Sequence, residues 1–491
     1  MLPIFIIIPL GCAFLIPLVA KFRQALAQVL AVVCGLALVY FSAQSIGWLR
    51  SGVQIYAAGG WKPPFGICMV LDGFTVMMLL VVNTIGCLAL IYSIDYIKRY
   101  TQPYFYYTLF CLLLAGLNGV VISGDLFNLF VFLEITSIAS YALVAFGTEA
   151  EELEAAFKYL VLGSIASSMI LLGIGVLLGH VSTLNMADIS RALSVSEARN
   201  LLLFCLALFI MGFGLKIALV PFHAWLPDAH PAAPAPISAM LSGVVIKTIG
   251  VYALCRVLFN IIGITPVVSS ILVWLGIISM AIGVLLAIGQ WDFKRLLAYH
   301  SVSQIGYIIF GIGLGTPLGI AGGLFHLFNH SLFKSLLFLN SGAVEYATGT
   351  RKLDQLGGIS SAMPVTSVTS LIASFSIAGV PPLCGFWSKL LIIIAAFQAN
   401  HFIGAIVCII TAIVTLASFL KVQKYVFLRL VNVACPSIQE VPLSMRLAMI
   451  VLAIACVGVG LLYAPFLKII IEPAANVLLL GVGYARIILG T

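Results

Sequence analysis

Apolar runs of about 20 residues, the length that crosses the hydrocarbon core of a bilayer, follow one another along almost the entire chain. Only 8% of the 491 residues are charged, where soluble domains carry about 25%. Such a chain cannot hide its apolar surface in water. Its backbone must satisfy its own donors and acceptors inside lipid, which helices do. The fold class that follows is an all-α polytopic membrane protein, with no stretch long and polar enough for a soluble domain.

The runs divide into fourteen predicted spans near 2–20, 25–48, 70–96, 104–122, 126–146, 154–179, 200–225, 236–258, 266–289, 292–314, 319–344, 364–398, 402–428 and 444–464. The first, "MLPIFIIIPLGCAFLIPLVAKFR", has no basic residues ahead of its apolar stretch, so it reads as a retained span rather than a cleaved signal. The tail after 464 either lies along the interface or crosses once more. The net charge of +8 sits in short loops and does not point to nucleic acid. Twelve lysines and arginines follow odd-numbered spans, Lys294 among them, against seven on the opposite face, Arg256 among them. Basic loops stay cytoplasmic, which places both termini outside the cell. The 11 cysteines form no CxxC pair, so an iron–sulfur or zinc centre held by this chain alone is not expected.

Two segments resemble each other. "IALVPFHAW" begins at Ile217 and "IAGVPPLCGFW" at Ile377, a spacing of 160 residues. Pro221 breaks the seventh span, and Pro381 and Pro382 break the twelfth, because proline removes a donor and displaces a helix carbonyl. Five crossings separate the two breaks, so the halves are expected to be inverted repeats. Paired broken helices in such repeats point to a transport pathway.

Charged groups inside spans are few and expensive, about 2.5–3.5 kcal/mol each at a helix centre on insertion scales. Glu134 lies mid-span in "GDLFNLFVFLEITSIASYALVAF". Lys216 precedes the first break, Lys247 is central in "ISAMLSGVVIKTIGVYALCRV", and Lys389 follows the second break. His326, His330 and Lys334 recur every four residues and line one helix face over roughly 12 Å. Any one of them has a plain reading as a charge paired in the bundle or snorkelling to the interface. A scaffold has no need of four lysines, two histidines and a glutamate together. Two histidines at i, i+4 suit a shared metal, but this helix sets no Asp, Glu or Cys beside them, and haem ligands must approach from opposite faces. No metal or cofactor is therefore expected. A proton relay fits better, since imidazole titrates near neutrality. A desolvated amine gives up its proton more readily, and a nearby carboxylate reverses that. Lys216 can thus hold a proton while Glu134 is close and release it when they part, with the Pro221 break opening polar backbone beside it. In "PFHAWLPDAHPAAPAPISA", His223, Asp228 and His230 either gather protons at the cytoplasmic mouth or are solvated loop residues, and the loop reading is favoured. Lys158 is either a pathway residue or a partner for Glu154 at i, i+4.

These stretches, together with "FKRLLAYHSVSQIGYI", "HLFNHSLFKSLLFLNSG" and "GVPPLCGFWSK", resemble the antiporter-like subunits shared by respiratory complex I, Mrp-type cation/proton antiporters and membrane-bound hydrogenases. "GDLFNLFVFLEI" looks most like the D-type member of the Mrp set, while "LPDAHPAAPAPISA" is closer to the complex I and hydrogenase members. The resemblance implies fourteen helices: three in 1–100, a five-helix repeat in 104–260, its inverted copy in 264–430, and a helix and tail in 431–491. It implies that Glu134 and Lys216 form the ion pair of the first half and that Lys247 is the central relay. His326, His330 and Lys334 would continue the polar axis to Lys389, the terminal lysine of the second half. The expected function is proton translocation, with Na⁺ as a candidate coupled ion, as one subunit of a membrane complex in a prokaryotic cell membrane. The alternatives are a quinone- or metal-binding redox subunit and an autonomous solute carrier. Partner subunits argue for the first reading, a cofactor spectrum for the second, and organic-solute transport by the chain alone for the third.

Overall fold

A computed structural model of the chain describes residues 1–195, 198–429 and 438–490. The order begins with helices α1 (Ile4–Ala20) and α2 (Gln24–Leu49), then an antiparallel hairpin, β1 (Gln54–Ala57) and β2 (Cys68–Leu71), pairing Gln54 with Leu71. The first half continues with α3 (Gly73–Tyr96), α4 (Pro103–Ile122), α5 (Leu126–Val144), α6 (Ala150–Val181), the short α7 (Met186–Leu193), α8 (Arg199–Ile217), α9 (Leu226–Ala232) and α10 (Ala235–Ile261). The second holds α11 (Pro266–Ile288), α12 (Phe293–Gly313), α13 (Pro317–Thr348), α14 (Pro364–Ala378), α15 (Cys384–Gln398) and α16 (Phe402–Leu428). Helices α17 (Leu443–Leu461), α18 (Tyr463–Leu479) and α19 (Gly481–Leu489) close the chain, the last two bent by 97°.

Among the described residues, 11 helices are long and apolar enough to cross a membrane, or 12 if the bent terminal pair counts as one. The chain is an integral membrane protein. Helix starts follow ordinary capping chemistry: Asp125 accepts from Asn128 N at 2.7 Å to open α5, and Asp292 from Arg295 N at 2.9 Å to open α12. Helix α13 carries His326, Asn329, His330, Lys334 and Asn340, all buried. A helix so polar and so buried belongs to the interior of a bundle, not to its lipid face. By contrast α2 and α16 expose large apolar side chains such as Val29 and Ile413.

The seventh span is shorter than expected. Helix α8 stops at Ile217, with Ala218 at φ +61°, and the chain turns through 218–225 before α9. The twelfth breaks where expected, between Ala378 and Cys384, with Gly379 at φ +86°. Glycine meets that backbone without a Cβ penalty. At Gly385 a Cβ would collide with the carbonyl of Ser376, so the two half-helices approach closely only because the position is glycine. The hairpin and α7 were not anticipated from sequence. The boundary placed at 430/431 lies outside the described residues.

Two residues counted as loop cations need correction. Arg256 lies within α10 and is buried, and Lys294 lies in the first turn of α12 and is buried. Each is held by a carboxylate: Arg256 by Asp72 through two 2.7 Å bonds, and Lys294 by Glu345 at 2.8 Å. Setting both aside leaves the loop excess on the same face.

Candidate functional site

Helices α5, α6 and α8 set the first cluster. The Lys216 ammonium is buried and lies 3.7 Å from Glu134 Oε1, and it donates to Ser137 Oγ at 2.9 Å. Glu134 also accepts from the Ser167 hydroxyl. Its side chain is 31% exposed against 1% for Lys216, so the carboxylate stands at the rim of the bundle and the amine inside it. At 3.7 Å the pair is an ion pair rather than a tight hydrogen bond, and Ser137 offers the amine a second position.

The break beside this cluster is braced rather than open. Trp225 Nε1 donates to the Leu215 carbonyl at 2.9 Å, and the Val220 amide donates to Ser279 Oγ at 3.1 Å. Trp225 stacks on Tyr159 with ring centroids 4.2 Å apart. The Leu215 carbonyl at the helix end, which also accepts from the Ala218 amide at 3.2 Å, is therefore met by an indole, not by Lys216.

Lys247 is fully buried and donates to the carbonyl of Ser242. Both lie in Leu241–Tyr252, a π-helical stretch of α10. The wider turn loosens the backbone ladder, and such stretches are frequent at functional sites. Ser242 Oγ meets Ser301 Oγ of α12 at 2.7 Å, which carries the polar line into the second half. Among the described residues no hydrogen bond joins Lys216 to Lys247.

In α13, His326 is held on both sides: Nδ1 lies 3.0 Å from Ser388 Oγ and Nε2 3.1 Å from Gln304 Oε1. His330 stands one turn on, its ring parallel to that of His326 at 6.2 Å. Both its nitrogens are buried without a hydrogen-bond partner among the described residues. Lys334, a further turn along, donates to the Leu297 carbonyl. Lys389, which sequence alone leaves free to snorkel, is buried and reaches back across the second break to the carbonyls of Ile377 at 2.7 Å and Ala378 at 3.3 Å. There a cation sits at a helix C-terminus, where the dipole favours it.

Sequence reasoning missed two histidines. His230 is not in a solvated loop: it is fully buried, with both ring nitrogens unpartnered among the described residues, edge-on to Phe338 at 5.5 Å. The density of prolines around it suggested a loop, whereas α9 folds it under the bundle. His300 of α12 is also buried, with Nε2 2.8 Å from Ser418 Oγ of α16. Its neighbours Ser301, Ser303 and Gln304 are the signal that was available. Lys158 is exposed and pairs with Glu154 at 2.9 Å and Asp228 at 3.0 Å.

An unpaired buried imidazole costs about 1–3 kcal/mol, and a stable bundle has no use for several. Of the two α13 histidines, only His326 is linked to neighbouring helices, through the Ser388 hydroxyl and the Gln304 amide. The described residues hold no group of three or more His, Cys, Asp or Glu placed to bind a metal.

Fold and site together define an integral membrane protein whose interior holds several buried basic side chains. The chain belongs to the NADH:quinone oxidoreductase/Mrp antiporter transmembrane family, which it matches over residues 123–415. Residues 53–106 match the N-terminal family of complex I chain 5. The D-type subunit of the Na⁺/H⁺ antiporter of Alkalihalophilus pseudofirmus is 36% identical over 379 residues, 77% of either chain. The N-type subunit of the NADH-quinone oxidoreductase of Desulforudis audaxviator is 34% identical over 493 aligned positions, 96% of this chain and 98% of that one. A chain of the Mrp complex from Dietzia sp. superposes with a TM-score of 0.92 at 29% identity, covering 100% of this chain and 99% of that one.

Proposed function

We propose that this chain is a proton-translocating, antiporter-like subunit of a multisubunit membrane complex. The observation that carries the proposal is the file of buried bases with Glu134 at one end. Glu134 and Lys216 form the ion pair that opens the path. Lys247 relays at the centre, His330, His326 and Lys334 extend it, and Lys389 ends it. The names of the relatives support this reading, since they are a Na⁺/H⁺ antiporter subunit and a quinone oxidoreductase subunit. The full-length match to a chain of the Mrp complex supports partner subunits in the membrane. In an Mrp-type assembly the coupled ion is Na⁺; in a redox-driven assembly the same bases serve a different engine.

The reading includes fourteen spans. The support is that Ile4–Ala20, Pro317–Thr348 and the broken pair Pro364–Ala378 with Cys384–Gln398 stand beside the 11 long apolar helices. It also includes inverted five-helix repeats over 104–260 and 264–430, between three helices in 1–100 and a helix and tail from 431. Matching breaks after Ile217 and near Ile377 support the repeat. The lysine precedes the break in the first half and follows it in the second. Loop charge supports external termini in a prokaryotic cell membrane.

The test is purification of the intact assembly, identification of what accompanies the chain, and proton flux after reconstitution. Lys216→Ala is expected to stop coupled flux while the complex still assembles. Flux equal to that of the unmodified assembly would sink the proposal.

A further inference from the structure

Helices α14 and α17 run side by side from a common end and leave an apolar groove between them. It is lined by Val365, Val368 and Ile372 on one side and Ile450, Ile454 and Val457 on the other, with a volume of about 630 Å³. That lies within the ~300–1,000 Å³ of ligand pockets. The lining of α17 extends from Ile450 to Gly458, roughly 12 Å at the helical rise, close to the ~15 Å depth of one leaflet's hydrocarbon.

Arg446 lies one turn before Ile450, in register with Ile450, Ala453, Ile454 and Val457. It is three residues into α17, at the end where both helices begin. Its guanidinium has no ion pair or hydrogen bond among the described residues, and its Nε is buried. The nearby anion does not serve it: Glu440 accepts from Val365 N at 2.8 Å, Thr366 N at 3.2 Å and Thr366 Oγ1 at 2.6 Å, and so caps α14. An apolar slot one leaflet deep, with an unpaired arginine one turn before its lining on the same helix, matches an acyl chain joined to a phosphate. Arginine is the side chain that best meets phosphate.

We propose that the groove between α14 and α17 binds one membrane phospholipid, its acyl chain along Val368 and Ile454 and its phosphate on Arg446. The bound lipid braces α14, the half-helix whose last carbonyls hold Lys389.

The test uses the intact assembly, purified in detergent, stripped of lipid and titrated with phosphatidylglycerol under native mass spectrometry. Arg446→Gln is expected to weaken retention of one lipid per chain about tenfold, the worth of one charge-assisted bond. Val368→Trp, which fills the slot at an exposed position, is expected to displace the same lipid. Unchanged lipid retention in either variant overturns the proposal. A photoreactive side chain at position 454, also exposed, gives an independent reading in the otherwise unaltered chain. Capture of phospholipid supports the site, and capture of a partner polypeptide there overturns it.

Discussion

The ammonium of Lys389 lies 2.7 Å from the carbonyl oxygen of Ile377, across the break that separates α14 from α15. One side chain thus does two things. It takes up a carbonyl that the broken helix leaves without an amide donor, and it sets a basic group against His326 through the adjoining Ser388. Replacement by Ala leaves that carbonyl unpaired, at about 1–3 kcal/mol. Lys389→Ala is expected to lower the melting temperature of the purified assembly and also its proton flux. Lys389→Arg should restore stability more fully than flux, because guanidinium does not release its proton.

His330→Leu separates packing from function. The imidazole has no hydrogen-bond partner among the described residues, so an apolar side chain of similar size should leave stability unchanged or raise it by about 1 kcal/mol. Proton flux should nevertheless fall, by about 10²-fold if the ring relays protons. Thermal melting and flux measured on the same preparation check both halves of this expectation.

Ser388→Ala removes the hydroxyl 3.0 Å from His326 Nδ1 while Gln304 still holds Nε2. A single neutral hydrogen bond is worth about 1 kcal/mol. Flux should therefore drop several-fold rather than vanish, and Ser388→Thr should recover most of it. Loss as complete as that of Lys216→Ala would show that Ser388 itself carries the proton.

Asp72 and Arg256 form a buried pair outside the proposed proton path. Tyr484 from the C-terminal α19 donates to Asp72 at 2.7 Å, and Asn260 donates to the Val477 carbonyl at 2.8 Å. This cluster fastens the tail to α10. Asp72→Asn leaves a buried guanidinium unpaired, a cost of about 3–5 kcal/mol. Hydrogen exchange over residues 472–489 should rise strongly in that variant and only modestly in Tyr484→Phe.

Much of this architecture was legible because lipid allows few solutions. Long apolar runs gave the helices, and the cost of a buried charge singled out Lys216, Lys247, His326, His330, Lys334 and Lys389. What could not be read was set by contacts distant in sequence. Nothing local shows that Trp225 would take the Leu215 carbonyl, or that Asp72 would meet Arg256 across 184 residues. His230 was misread because prolines signal loops, and burial of a loop depends on what packs over it. The π-helical turn holding Lys247 leaves no mark in the hydrophobic pattern, since both kinds of helix there are buried all round.

Lys247 tests the central claim most directly. It is fully buried, and among the described residues its ammonium meets only the carbonyl of Ser242. The measurement is proton flux in proteoliposomes containing the intact assembly with Lys247→Met, a change that keeps length and removes the titrating group. If the buried bases form one path, flux falls by about 10²-fold or more while subunit composition and melting temperature stay near those of the unmodified complex. Undiminished flux in an assembled, stable variant contradicts the account.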